Sequence, residues 1–171
     1  MDYKSLIREI PDFPKPGIVF YDITTLLKDS QGYQAVIEDF TAHYRNEKIS
    51  KIVGIESRGF ILGAPLAYNL GTGFVPVRKA GKLPADVFEV KYNLEYGASS
   101  LAIHRDAVAM EERVLVVDDL LATGGTAAAT VDLLRKLGAE IVGCAFMIEL
   151  RFLQGRQKIE GCSIHSLMTY D

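Results

Sequence analysis

Hydrophobic positions recur along this chain in two rhythms, and each rhythm stops at recognisable punctuation. From Ser30 onward, Tyr33, Val36, Ile37, Phe40 and Tyr44 fall on one face at the 3.6-residue spacing of a helix. Residues 59–70 repeat the helical pattern and stop at Gly71, and residues 126–137 do so again and stop at Gly138. Between these helices lie short runs that are apolar nearly throughout: Lys51–Ile55 and residues 73–78, 113–117 and 140–148. Strands covered on both faces read this way, because neither face meets water. Strands of this kind alternating with helices predict an α/β fold: a Rossmann-like parallel sheet of about five strands flanked by helices. Such sheets bind ligands beyond the carboxyl ends of their strands, so the loops after Ile55, Arg78, Val117 and Ile148 should line the site.

Two segments break the alternation. Residues 3–10 read as a short helix, and residues 11–16 hold three prolines, which force an extended, rigid entry that can act as an N-terminal hood. Residues 80–98 are polar, rich in Gly, Pro and Tyr, and too long for a plain connection; long loops in compact domains are usually functional, and this one is expected to be a mobile lid loop. Hood, sheet and lid together fit one domain over residues 1–171.

Composition adds exclusions. A net charge of −3 gives no electrostatic reason to expect nucleic acid or an anionic membrane as partner. The N-terminus carries charges and has no apolar core of a signal peptide, and no apolar run approaches a membrane span, so a cytoplasmic location is expected. Cys144 and Cys162 have no metal-ligand spacing around them and read as reduced thiols.

The strongest chemical signal is residues 114–126. A buried strand ends in Asp118 and Asp119, and a tight loop of Ala122, Thr123, Gly124, Gly125 and Thr126 leads straight into a helix. The glycines let backbone N–H groups turn toward a ligand, and the helix N-terminus favours a phosphate. Two threonine hydroxyls add donors. The acids stand where a sugar attached to that phosphate would lie, and carboxylates accept hydrogen bonds from vicinal hydroxyls. The segment reads as a ribose-phosphate cradle. It is not a Walker A loop, since no Lys follows the glycines, and it is not G-x-G-x-x-G. A strongly anionic group beside the cradle would need cations, for which Arg58, Lys79 and Lys82 are candidates. Phe20, after the rigid entry, can stack on a purine.

Four apolar residues, two acids and then Ala-Thr-Gly-Gly-Thr resemble the signature of the type I phosphoribosyltransferases. Residues 11–20, 56–60, 78–84 and 94–97 resemble, in the same order, motifs of the adenine-specific branch of that family, and the likeness covers about residues 7–170. One position departs: Tyr21 stands where many members carry Arg. The resemblance implies transfer of a 5-phosphoribosyl group from phosphoribosyl pyrophosphate to N9 of adenine, giving AMP and pyrophosphate in purine salvage, through an oxocarbenium-like transition state. It implies that Ser57 and Arg58 face the leaving group with Lys79 and Lys82. It further implies that the backbone at Val19 and Tyr21 reads the base edge beside Phe20 and Leu150, and that Glu95 handles the N9 proton while Tyr96 in the lid shields the sugar. Asp118, Asp119, Arg58 and Glu95 are thus the expected catalytic groups. Mg²⁺ is the implied cofactor, held by the substrate, through water to Asp118 or Asp119 if at all, with no direct protein ligand; a homodimer is the implied assembly. A sensor built on the same fold would ordinarily append a DNA-binding domain, for which 171 residues leave little room.

Overall fold

The computed structural model describes residues 1–94 and 97–171, with the side chains of residues 93–98 outside the description. Five strands run parallel at its centre: β3 (Lys51–Ile55), β4 (Gly73–Lys79), β7 (Arg113–Leu121), β8 (Glu140–Leu150) and β9 (Ile164–Tyr170). In space they run β4, β3, β7, β8, β9. β5 (Val87–Leu94) and β6 (Gly97–His104) form an antiparallel hairpin that joins this sheet at β4 through Arg78↔Ala102 and Lys79↔Leu101, giving seven strands. The fold is α/β, as the alternation of apolar runs and helices predicts.

Each central strand buries both faces, and consecutive residues enter different cores. Ile52, Leu115, Val117, Ala145 and Met147 join the cluster packed against α1 (Thr24–Leu27), α2 (Ser30–Tyr44) and α3 (Arg58–Leu70). Val53, Val114, Val116, Cys144 and Phe146 join the cluster beneath α4 (Gly125–Lys136). The helices begin and end for local reasons. Asp29 accepts the Gly32 N–H at 2.7 Å and caps α2, whose buried face is Gly32, Val36, Ile37, Phe40 and Tyr44. Gly71, at φ +66°, turns the chain out of α3 and donates its N–H to carbonyls of the last turn.

Three expectations are corrected. Residues 3–10 are not one helix: a single 3₁₀ turn, Lys4–Leu6, is followed by strand β1 (Arg8–Ile10), which pairs antiparallel with β2 (Phe20–Asp22). The proline segment makes this possible by folding back on itself, with Asp12 Oδ1 accepting from Gly17 N at 2.7 Å and Phe13 N donating to Ile18 O. Residues 80–98 are not a plain loop. Phe88, Val90 and Tyr92 alternate with polar residues and pack on the second core cluster, so most of the expected lid is sheet. Third, β7 does not end at Val117 but continues through both acids to Leu121, because β8 still offers it partners at Phe146, Ile148 and Glu149.

Candidate functional site

The carboxyl ends of β3, β4 and β7 open on a cavity of about 280 Å³. One wall is β7 and the turn after it: Asp118 and Asp119, then Ala122, Thr123, Gly124, Gly125 and Thr126 entering α4. The opposite wall is Glu56, Ser57 and Arg58 at the β3–α3 turn, with Lys79 from β4. The Glu56–Ser57 peptide is cis. Tyr92 and Leu101 of the hairpin close a third side. Gly124 caps α4 at φ +80°, a conformation that disfavours any residue with a Cβ, and its carbonyl accepts from Ala128 N at 2.9 Å. The N–H groups of the first turn of α4 therefore face the cavity, where an anion finds both donors and a favourable helix potential.

The two acids differ in their surroundings. Asp119 is 4% exposed, and its Oδ2 lies 2.9 Å from Arg58 Nε, an ion contact outside hydrogen-bond alignment. Asp118 takes the Asp119 backbone N–H on its Oδ1 at 2.9 Å. Burial first, and the adjacent Asp119 charge second, push the Asp118 carboxyl well above the usual range, with Arg58 pulling weakly the other way. Across the cavity, Glu56 gathers cations. Its carboxylate accepts from Lys82 Nζ at 2.7 Å, Lys79 N at 2.9 Å and an Arg78 guanidinium N–H at 3.3 Å. Burial works to raise its pKa, but these donors prevail and hold it down at about 2. The Arg58 guanidinium, which reaches Asp119 on the other wall, also sits 5.9 Å from the Phe20 ring centroid, and that ring meets Phe13 edge-on at 5.3 Å.

The phosphoribosyl transferase domain family matches residues 22–162. The adenine phosphoribosyltransferase of Acaryochloris marina is 62% identical over 170 residues, spanning 99% of this chain and all of its own length. The chain belongs to the adenine phosphoribosyltransferase family. Among solved members, the enzyme of Thermoanaerobacter pseudethanolicus superposes with a TM-score of 0.95 at 51% identity, over 99% of this chain and 98% of its own. The Saccharomyces cerevisiae adenine phosphoribosyltransferase, complexed with an imino-altritol bisphosphate and adenine, gives 0.93 at 40% identity, over 97% and 96%.

Of the residues singled out from sequence, Ser57, Arg58, Lys79, Asp118, Asp119 and the Ala122–Gly125 loop with Thr126 share the cavity wall. Lys82 is off the wall and tied to Glu56. Phe20 stands beside Arg58, while the Tyr21 ring packs on Tyr170 at 4.0 Å between centroids. Val19 is exposed, and Leu150 is buried in the first core cluster rather than on the wall. Glu95 and Tyr96 lie outside the described residues. Sequence reasoning passed over Glu56 as the hub for three donors. The available signal was a lone acid directly after a buried strand. Tyr92 was also missed, for want of seeing the hairpin.

Proposed function

We propose that this protein transfers the 5-phosphoribosyl group of phosphoribosyl pyrophosphate to N9 of adenine, releasing AMP and pyrophosphate, with the following division of labour. The observation that carries the reading is one cavity with the Asp118–Asp119 pair and a helix-capping phosphate loop on one wall and Arg58 with Lys79 on the other. The 5′-phosphate sits on the backbone of Thr123, Gly124, Gly125 and Thr126 at the start of α4. Asp118 and Asp119 accept from the ribose hydroxyls. Ser57, Arg58, Lys79 and Lys82 hold the pyrophosphate, Lys82 exchanging its contact with Glu56 for the ligand. Phe20 stacks on adenine, with the Val19 and Tyr21 backbone reading its edge, and Leu150 supports the floor from behind.

Chemistry follows from that placement. As the bond from C1 to the pyrophosphate oxygen breaks, positive charge develops at C1 and the ring oxygen; the neighbouring carboxylates favour it. Adenine N9 attacks the opposite face with inversion, its proton passing to Glu95, and Tyr96 keeps water off the sugar. The carboxylates of Asp118 and Asp119 on the cavity wall are oxygen donors that suit Mg²⁺, an ion the substrate would chiefly hold. Asp118 or Asp119 would reach such an ion through water, and the ion would neutralise the leaving group. The arrangement belongs to one domain, cytoplasmic and working as a homodimer.

The deciding assay follows pyrophosphate release with phosphoribosyl pyrophosphate, Mg²⁺ and a panel of adenine, hypoxanthine, guanine, xanthine and orotate. Turnover with adenine at least about 10²-fold above the others is expected, because a site built to pair an exocyclic amine leaves polar groups unpaired against the alternatives. Preference for any other base would overturn the reading.

A further inference from the structure

The segment between β8 and β9 carries groups that the proposed reaction does not use. It contains two 3₁₀ turns, Arg151–Leu153 and Gly155–Lys158. Glu149, near the end of β8 and 3% exposed, receives Arg156 Nε at 2.6 Å and Arg156 Nη2 at 2.7 Å, together with Ser166 Oγ of β9 at 2.8 Å. A bidentate guanidinium on a buried carboxylate is a rigid joint, and the Arg156 bonds are the main reason the Glu149 pKa falls below its ordinary value. Apolar anchors pin the segment on both sides of the sheet: Leu153 packs on the first core cluster and Ile159 lies in the second.

Between these pins Gly155 meets the phosphate loop backbone to backbone. A Cβ on Gly155 would stand 2.2 Å from the Ala122 carbonyl oxygen and 2.9 Å from Gly124 N. A Cβ on Gly124 would stand 2.2 Å from the Gly155 carbonyl oxygen. Each glycine is thus demanded by the other, over and above anything a ligand asks of the loop. A loop of Ala, Gly and Thr has few side chains with which to hold its own shape, so its N–H groups must be aimed from behind. Binding constellations tolerate errors of only about 0.5 Å.

We propose that Gly155, clamped by Arg156, Glu149 and Ser166, positions the backbone of residues 122–126, so that affinity for a sugar phosphate depends on residues that touch no substrate. This rests on the reading of that loop as the 5′-phosphate cradle. Arg156 and Gly155 are positioning residues, not catalytic ones.

Calorimetry with two separate probes tests it: ribose 5-phosphate, which needs the loop, and magnesium pyrophosphate, which is held on the Arg58 wall. Gly155→Ala is expected to weaken ribose 5-phosphate at least about tenfold and to leave pyrophosphate within about twofold. Arg156→Lys keeps the charge but not the two-pronged bond, and should fold even where Gly155→Ala does not; the same split in a milder form, about threefold to tenfold, is expected. Wild-type affinity for ribose 5-phosphate in a folded Arg156→Lys chain would reduce the clamp to a structural joint and overturn the proposal. Equal loss of both probes would mean general loosening and overturn it too. A wild-type chain that binds no ribose 5-phosphate would fail before any substitution, and would sink the cradle reading itself.

Discussion

Asp118 and Asp119 are neighbours in one strand, yet Asp119 faces a guanidinium at 2.9 Å while Asp118 is left with burial and its neighbour's charge. The raised Asp118 pKa has a sign that stability measurements can read. A carboxyl that gives up its proton less readily when folded contributes fully below its unfolded pKa of about 3.9, and that contribution is lost as pH rises through the folded value. Asp118→Asn removes the penalty. Scanning calorimetry of the substrate-free protein should therefore show Asp118→Asn with the higher Tm at pH 8, by about 2–4 °C per kcal/mol relieved, and a smaller gain at pH 4. Turnover should move the other way: if the charges act on the developing cation, Asp118→Asn combined with Asp119→Asn is expected to lose about 10²-fold or more. A folded double variant with near-normal turnover would remove the acids from the ribose site. Glu56 carries the opposite sign. Its carboxyl lies near 2, so the stability it adds is present above about 4.3 and drains away as pH falls toward 2. Glu56→Gln should lower Tm at pH 7, and the gap from wild type should narrow through that acid window. A gap independent of pH would show that Glu56 acts by shape, not by charge.

The elements divide according to how local their causes are. α2, α3 and α4 are visible from sequence because capping residues and a 3.6-residue stripe lie within each, and the cradle is visible because strand, acids, glycines and helix start are contiguous. β1 is not, because its cause is remote: Arg8 binds Asp22 across the proline turn, with Nη2 at 2.7 Å from the carboxylate. β5 hides behind Glu89 and Lys91, whose polarity masks the inward alternation of Phe88, Val90 and Tyr92. β9 mixes His165, Ser166 and Thr169 with apolar residues and, among the described residues, pairs with β8 alone, which leaves an edge strand without the continuous apolar run of its neighbours. The joint of Gly155 with Gly124 was equally illegible, because it links turns 31 positions apart in a contact that involves no side chain. The hairpin has a functional test of its own. If Glu95 takes the N9 proton, Glu95→Gln should lower kcat by about 10²–10⁴-fold and barely alter binding of phosphoribosyl pyrophosphate. Stopped-flow turnover beside equilibrium binding separates the two. Wild-type kcat would send the proton out through water instead.

At the scale of the whole molecule, the cavity is a meeting place of parts that otherwise touch little. The Asp118–Asp119 strand belongs to the sheet centre and Lys79 and Tyr92 to the hairpin side, while Phe20 of the small β1–β2 sheet stands beside Arg58 at its edge. That small sheet is tied to the far edge of the main one where Tyr21 packs on Tyr170 and Lys4 lies 4.7 Å from the Tyr170 centroid. Substrates that fill the cavity and reach Phe20 would bridge all of these, and anything that binds only the folded chain stabilises it by mass action. With phosphoribosyl pyrophosphate and Mg²⁺ at 100 times the dissociation constant the gain is about 2.7 kcal/mol. For a chain of 171 residues that corresponds to a Tm rise of about 5–10 °C. Adenine added afterwards should raise Tm further only in chains whose small sheet is docked. Tyr21→Ala removes the ring that packs on Tyr170, so it should keep the first rise and lose most of the second. Differential scanning fluorimetry with the ligands added singly and in order reads both. A second rise that survives Tyr21→Ala would show that the base is held by the sheet and hairpin alone, and that the packed tyrosines serve only to fasten the N-terminus.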